Sequence, residues 1–293
     1  MAVKPMKRKK RETLVAWSFL SIWVIGFLVF TMIPLFTSLY YSLSDVVLDG
    51  EGIKVNFIWF ENYKQVFSSP EGFNFLKSVS DFAIEILFKV PIIIVFAIII
   101  AVMLNQKLKG RGFFRAIYFL PVIIASGPVI NQLIHQGAAT IPIIEEMGIL
   151  GFINSTFTET LARPISNIFS ELIVILWFSG VQILLFIAAL QKVDKYTYEA
   201  AMIDGAGPWE SFWKITIPAL KSMVLVSVVF TIINLATFSE NAAILHIKNN
   251  MFALETGFGF SSAIAWLYFI ALAIILGIFF LIFKLFNRER GRR

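Results

Sequence analysis

Six stretches of the chain stay apolar for close to 20 residues, the length a helix needs to cross roughly 30 Å of hydrocarbon. They lie at about 14 to 36, 82 to 104, 115 to 135, 172 to 190, 222 to 243 and 263 to 284. The first follows a basic cluster of Lys4, Lys7, Arg8, Lys9, Lys10 and Arg11, and sequence without a charge then runs from Thr13 to Ser44. That is too long for the apolar core of a cleaved signal peptide, so a retained signal-anchor is expected. The polar segments between the spans differ in kind. Residues 37 to 81 hold Gly50, Gly52, Pro70 and Gly72 among scattered charges and predict a small folded cap. In 136 to 171, the run Ile141-Pro142-Ile143-Ile144 before Glu145-Glu146 suits a re-entrant or an interfacial segment, and periodicity does not choose between them. The pattern predicts an all-α polytopic membrane protein with six transmembrane helices. Residues 1–13 form a basic tail, 14–285 a single membrane domain with a third polar segment at 244–262 and a loop at 191–221, and 286–293 a second basic tail.

Composition agrees. Hydrophobic residues make up 58% and charged residues 15%, with a mean hydropathy of +0.80, whereas a soluble domain carries roughly a quarter charged residues. A soluble enzyme and a disordered chain are both excluded. The formal net charge of +6 reports topology. With the N-terminus inside, 19 of the 25 Lys and Arg residues fall in the four cytoplasmic segments, which places both termini in the cytoplasm. The basic residues are scattered over short pieces without interleaved aromatics for base stacking, so nucleic acid is not an expected partner. The absence of cysteine excludes disulfides, thiolate catalysis and cysteine-based zinc sites.

Enzymatic chemistry is hard to find. No G-x-x-x-x-G-K-[ST] sequence is present, so the chain holds no ATP phosphates by a P-loop. Its two histidines, His135 and His246, form no H-E-x-x-H pair, and there is no G-x-S-x-G elbow. Neither an enzyme nor a metal site is expected. Asp81, Glu85 and Lys89 recur every fourth residue in the outer half of the second span. Either they form an external extension of that helix with an i,i+4 ion pair, or they carry ions through an ion-coupled secondary transporter.

The loop at 191–221 is unlike a plain connector. Asp194 suits an N-cap, residues 195 to 204 lack Gly and Pro, Gly205 and Gly207 free the backbone, and Pro208 suits the first turn of another helix. A second helix is expected from Trp209 to Ile217, ending at Pro218. The product is a helix-turn-helix with small Ala200 and Ala201 and charged Glu199 and Asp204 open to a partner. An amphipathic helix lying on lipid is the competing reading of this loop.

Glu199-Ala200-Ala201, three residues, Gly205, nine residues, then Ile215-Thr216-Ile217-Pro218 resembles the E-A-A-x3-G-x9-I-x-L-P motif of ABC importer permeases, with Ile217 in place of Leu. The wider stretch from Tyr198 to Pro218 resembles the carbohydrate-uptake, MalF/UgpA-like branch. Asn105 through Pro121 is similar to the segment entering that branch's third core helix, and Phe60-Glu61-Asn62-Tyr63 to its external cap. Residues 136 to 170 fit the pattern poorly.

The resemblance implies a coupling helix seated in a cleft of a cytoplasmic ATPase. Glu199 would pair with a basic group, Ala200 and Ala201 would allow close packing, Gly205 would form a turn that a Cβ obstructs, and Asp204 would cap or pair nearby. Ile215 and Pro218 complete the motif. It further implies a second homologous permease, two ATPase subunits that bind the ATP, an extracytoplasmic solute-binding protein, a sugar substrate and a bacterial or archaeal cytoplasmic membrane; the chain itself would hold no cofactor. A sugar path needs hydrogen-bonding and aromatic side chains inside the bundle. Thr231, Asn234, Phe238, Ser239 and Asn241 in the fifth span, Gln182 in the fourth, and Asn131 with Gln132 in the third are the candidates. Asn234 and Phe238 lead them, as neighbours one turn apart on one helix face. For each, an interhelical hydrogen bond is the competing role.

Overall fold

A computed structural model describes residues 8–49, 52–106, 148–159, 176–253 and 256–290, with single positions at 112, 113, 116, 132, 162 and 166. Apart from Ala116 and an exposed Gln132, the third expected span lies outside the described residues, Asn131 included, as do Ile141 to Glu146. The chain divides into two compact units, Met1–Leu76 with His246–Phe269, and Lys77–Leu245 with Ile270–Arg293.

The first unit begins with α1 (Arg8–Phe27), which passes through a π turn (Leu28–Met32) into α2 (Ile33–Ser42). The π turn answers a covalent problem. Pro34 has no N–H to donate and its ring would strike the carbonyl one turn back; widening the preceding turn, with Ile33 N–H donating to Leu28 O, carries the helix past it. Hydroxyls along this span bond the helix's own carbonyls, Ser18 to Val15, Thr37 to Ile33 and Ser38 to Leu35. These hydroxyls need no water, which suits a helix whose apolar faces are exposed along its length.

The expected cap is present, and it contains β structure that an all-α reading lacks. β1 (Ser44–Asp49) pairs antiparallel with β2 (Gly52–Phe57), Val46 opposite Val55 and Asp49 opposite Gly52. β-branched residues alternate across the pleat, Val46 buried and Val47 exposed. α3 (Glu61–Val66) follows. Its Asn62 is buried and donates from Nδ2 to Ser42 O at 3.0 Å and Ser44 O at 2.9 Å, while Tyr63 donates its hydroxyl to Ser42 Oγ at 2.9 Å. The carbonyls at the exit from the first span are thereby satisfied. α11 (Gly257–Arg290) brings Gly259 against the same place: a Cβ there would stand 2.2 Å from Ser44 O. Trp266 Nε1 donates to Ser38 Oγ at 3.2 Å.

In the second unit, α4 (Pro70–Asn105) contributes the residues from Lys77 onward. Phe82, Ile86, Val90, Ile93, Ala97, Ala101 and Leu104 are buried at helical spacing, while Leu87, Val95, Ile99 and Met103 are exposed. α5 (Ile149–Thr156) is short. α6 (Gly180–Leu190) packs on the long helix that ends the loop, whose parts are α8 (Pro208–Ser211), a π turn (Phe212–Thr216) and α9 (Ile217–Ala236). α7 (Lys195–Ile203) lies between them in sequence, and α10 (Ala242–Met251) follows α9.

α4 and α11 begin earlier than expected, at Pro70 and Gly257, and two helix ends also differ. The helix entered at Pro208 does not stop at Pro218; it continues to Ala236, because the π turn ahead of Pro218, closed by Ile217 N–H on Phe212 O, repeats the device used before Pro34. The fifth span also stops short of 243. Thr237 closes α9, and Asn241 joins the two helices, accepting from Ala243 N at 2.9 Å and donating to Leu235 O at 3.3 Å. Among the described residues four helices are long and apolar enough to cross a membrane, Glu12–Ser42, Pro70–Asn105, Pro208–Ala236 and Gly257–Leu285. A fifth is possible if the bent pair Leu176–Leu190 and Lys195–Ile203 counts as one span.

Candidate functional site

The hairpin between α6 and α9 is built by local rules that the loop's sequence announces. After α6 ends, Asp194 adopts an extended backbone and accepts from Tyr196 N at 3.0 Å, capping α7 as expected. The chain turns sharply, so that α7 runs at 68° to the helix before it. At the far end Gly205 takes φ +84°, its N–H donating to Met202 O at 3.1 Å, and Ala206 N–H donates to Ala201 O at 2.9 Å. This pair of bonds is a Schellman closure. Gly207 is extended, and Pro208 starts the next helix.

The obstruction a Cβ would meet at Gly205 is conformational. Among the described residues a Cβ there meets nothing within 4 Å. The position asks for glycine because of its left-handed backbone. Glu199, Ala200 and Asp204 are exposed and Ala201 is half-buried, so the motif's outer face is open, while Ile215 is half-buried and Pro218 exposed. Sequence reasoning did not single out Met202 and Ile203, which are 63% and 86% exposed. Ile203 stands one turn from Glu199 and places an uncovered apolar side chain beside the carboxylate. The available signal was a pair of large apolar residues in a short loop helix with no core to enter. Trp209, Phe212 and Trp213 form an aromatic cluster at the start of the next helix, Trp209 stacked on Phe212 and Trp213 edge-on to both. Glu210 and Lys214 pair on its exposed side. Tyr198 and Thr216 join their hydroxyls at 2.9 Å, a contact no local pattern foretold.

Of the residues expected along a sugar path, the structure brings some together and separates others. Gln182 is fully buried and donates from Nε2 to Thr231 Oγ1 at 2.7 Å; Thr231 in turn donates to Ser227 O. The interhelical role therefore holds for this pair. Asn234 stays in α9 and is half-buried, but Phe238 lies beyond the helix end, where its ring meets Phe178 edge-on with centroids 5.2 Å apart. The two do not share a helix face. Asn241 is likewise outside α9, occupied as the cap of α10.

Asp81 is exposed, Glu85 half-buried and Lys89 buried, with a 3.0 Å ion pair between the last two. Counted back from the end of α4 at Asn105, a span of roughly 20 residues would end near Ile86, which leaves Asp81 and Glu85 beyond it and Lys89 in its first turn. Among the described residues no group of three His, Cys, Asp or Glu side chains could hold a metal ion.

No protein-family model matches the chain. Curated relatives do. A probable ABC transporter permease, YesP of Bacillus subtilis, is 26% identical over 294 residues, covering 95% of this chain and 93% of the relative. The lactose transport system permease LacF of Rhizobium radiobacter is 27% identical, with 88% and 90% covered. The trehalose/maltose transport system permease MalF of Thermococcus litoralis is 29% identical, with 78% and 75% covered. Among solved structures, a chain of a bacterial ABC transporter involved in import of the acidic polysaccharide alginate superposes with a TM-score of 0.60 at 20% identity, covering 96% of both chains. That likeness establishes the fold. The charged series on α4 gains no support as an ion pathway from any of these relatives.

Proposed function

We propose that this homologue of ABC importer permeases is the membrane-spanning subunit of an ATP-driven importer, providing half of a path for a sugar, an oligosaccharide or sugar derivative. The observation that carries the reading is the hairpin from Asp194 to Pro218: capped at its start, closed at Gly205 and exposing Glu199, Ala200 and Ile203 together. In this reading α7 docks in a cleft of a cytoplasmic ATPase. Glu199 pairs with a basic group there, Ala200 and Ala201 admit the partner's backbone, Ile203 fills an apolar contact, and Asp204 adds a second charge at the helix end. Two ATPase subunits bind the ATP, a second homologous permease completes the path, and an extracytoplasmic solute-binding protein delivers the sugar. Six spans with both termini in the cytoplasm of a bacterial or archaeal cell complete the topology. Work is transmitted because the partners prefer different conformations of the permease.

For the path itself, Asn234 is the position we favour. Its side-chain amide makes no hydrogen bond among the described residues, and an amide of this kind can replace one that a sugar hydroxyl loses on leaving water. Phe238 and Phe178 offer an aromatic surface nearby in sequence order, beyond the end of α9. Gln182 acts through Thr231, and Asn241 through the α9–α10 corner.

The test is affinity purification of the tagged full chain from native membranes in mild detergent, compared with a Glu199→Arg/Gly205→Asp variant. An ATPase and a second permease should accompany the wild type and be lost from a variant that still inserts. Purification of both without any ATPase, under conditions that keep known complexes whole, would overturn the reading.

A further inference from the structure

The hairpin poses a mechanical problem. The backbone from α7 to the long helix passes through Gly205, Ala206 and Gly207, with Gly205 in the left-handed region and Gly207 extended. Two glycines in three residues make a compliant link. A displacement of α7 would be absorbed there unless something else ties α7 to the membrane helix. Among the described residues a single side-chain hydrogen bond does so: Tyr198 Oη and Thr216 Oγ1, 2.9 Å apart.

Its location matters. Thr216 is 6% exposed and is the last residue of the π turn, two positions before Pro218. Its Oγ1 also approaches Ser211 O, the carbonyl just ahead of that turn, at 3.5 Å. If Thr216 donates to this carbonyl, the Tyr198 hydroxyl is the donor of the pair, giving one direction to the chain Tyr198, Thr216, Ser211. A π turn followed by proline is also where the helix lacks its regular ladder, and such turns concentrate at functional sites.

We propose that Tyr198 and Thr216 are positioning residues that lock the coupling helix to the base of α9, so that motion of α7 is delivered at the π turn and bypasses the Gly205–Gly207 link. The proposal rests on the coupling reading above, and its test separates the two. The chain has no cysteine, so spin labels can be placed at Lys195→Cys on α7 and Ser222→Cys on α9, both exposed. Distances are measured by pulsed electron spin resonance in the purified full chain and in its complex, without and with ATP and vanadate. Wild type should give one distance under both conditions. Tyr198→Phe and Thr216→Val should each raise a second, unlocked distance about fivefold, the factor corresponding to one neutral hydrogen bond. The double variant should be no worse than either single one, and Thr216→Ser, which keeps the hydroxyl, should behave as wild type. A single distance in Tyr198→Phe, additive effects in the double variant, or a Thr216→Ser that unlocks as far as Thr216→Val would each overturn the lock. Failure of an ATPase to co-purify would instead overturn the coupling reading, while the distances in the isolated chain still report on the lock.

Discussion

Replacing Gly205 by alanine separates backbone conformation from steric fit at the hairpin between α6 and α9. At φ +84° a residue with a Cβ is strained, yet the added Cβ finds open space within the chain. The cost should then be conformational alone, about 1–2 kcal/mol for a non-glycine residue in the left-handed region. That is a factor of about 5 to 30 in the opening equilibrium of the Schellman closure. Asparagine tolerates this region better than alanine and should recover part of the loss despite its larger side chain. Hydrogen exchange of the purified full chain, followed by mass spectrometry on peptides covering 200–207, reads the two amides concerned. In wild type, Gly205 N and Ala206 N donate to Met202 O and Ala201 O at 3.1 and 2.9 Å. Gly205→Ala should exchange there faster by that factor, and Gly205→Asn by less. If alanine leaves exchange unchanged, or asparagine is the worse of the two, the conformational account is refuted.

Three further outcomes follow from the geometry. Gly259→Ala would set a Cβ 2.2 Å from Ser44 O and should lower stability by about 1–3 kcal/mol; Gly277→Ala, with nothing within 4 Å, should be neutral or stabilising, and thermal unfolding in detergent compares the pair. Asn62→Leu removes both bonds to the buried carbonyls of Ser42 and Ser44 and should cost about 2 kcal/mol or more, read as a lower unfolding midpoint with the wild-type fold signature retained. Gln182→Leu and Thr231→Val should show a coupling energy of about 0.6–2 kcal/mol in a double-mutant cycle on unfolding, and full additivity would mean the 2.7 Å bond contributes nothing.

Local physics explains what was readable in the chain before any coordinates. Bilayer thickness fixes the length of an apolar run, so the helices containing 14 to 36, 82 to 104 and 263 to 284 could be placed, with α4 beginning earlier, at Pro70. Asp194, Gly205 and Pro208 act on backbone groups within a few positions of themselves, and the start and turn of the hairpin followed. The end expected at Pro218 failed because proline forbids one hydrogen bond but leaves the chain free to reroute its neighbours through a π turn. The reach of α9 to 243 failed because Asn241 and Thr237 are polar residues that read equally well inside a span or at a corner.

The sequence by itself determined that this is a membrane protein, the positions of most of its described spans and the start and turn of the hairpin, since each follows from a length or a spacing along the chain. Only the tertiary structure decided that Gln182 meets Thr231 across 49 positions, that Tyr198 meets Thr216 across 18, and that Asn62 closes the exit of the first span. A hydrogen bond depends on where two donors and acceptors come to rest in space, and no periodicity records that.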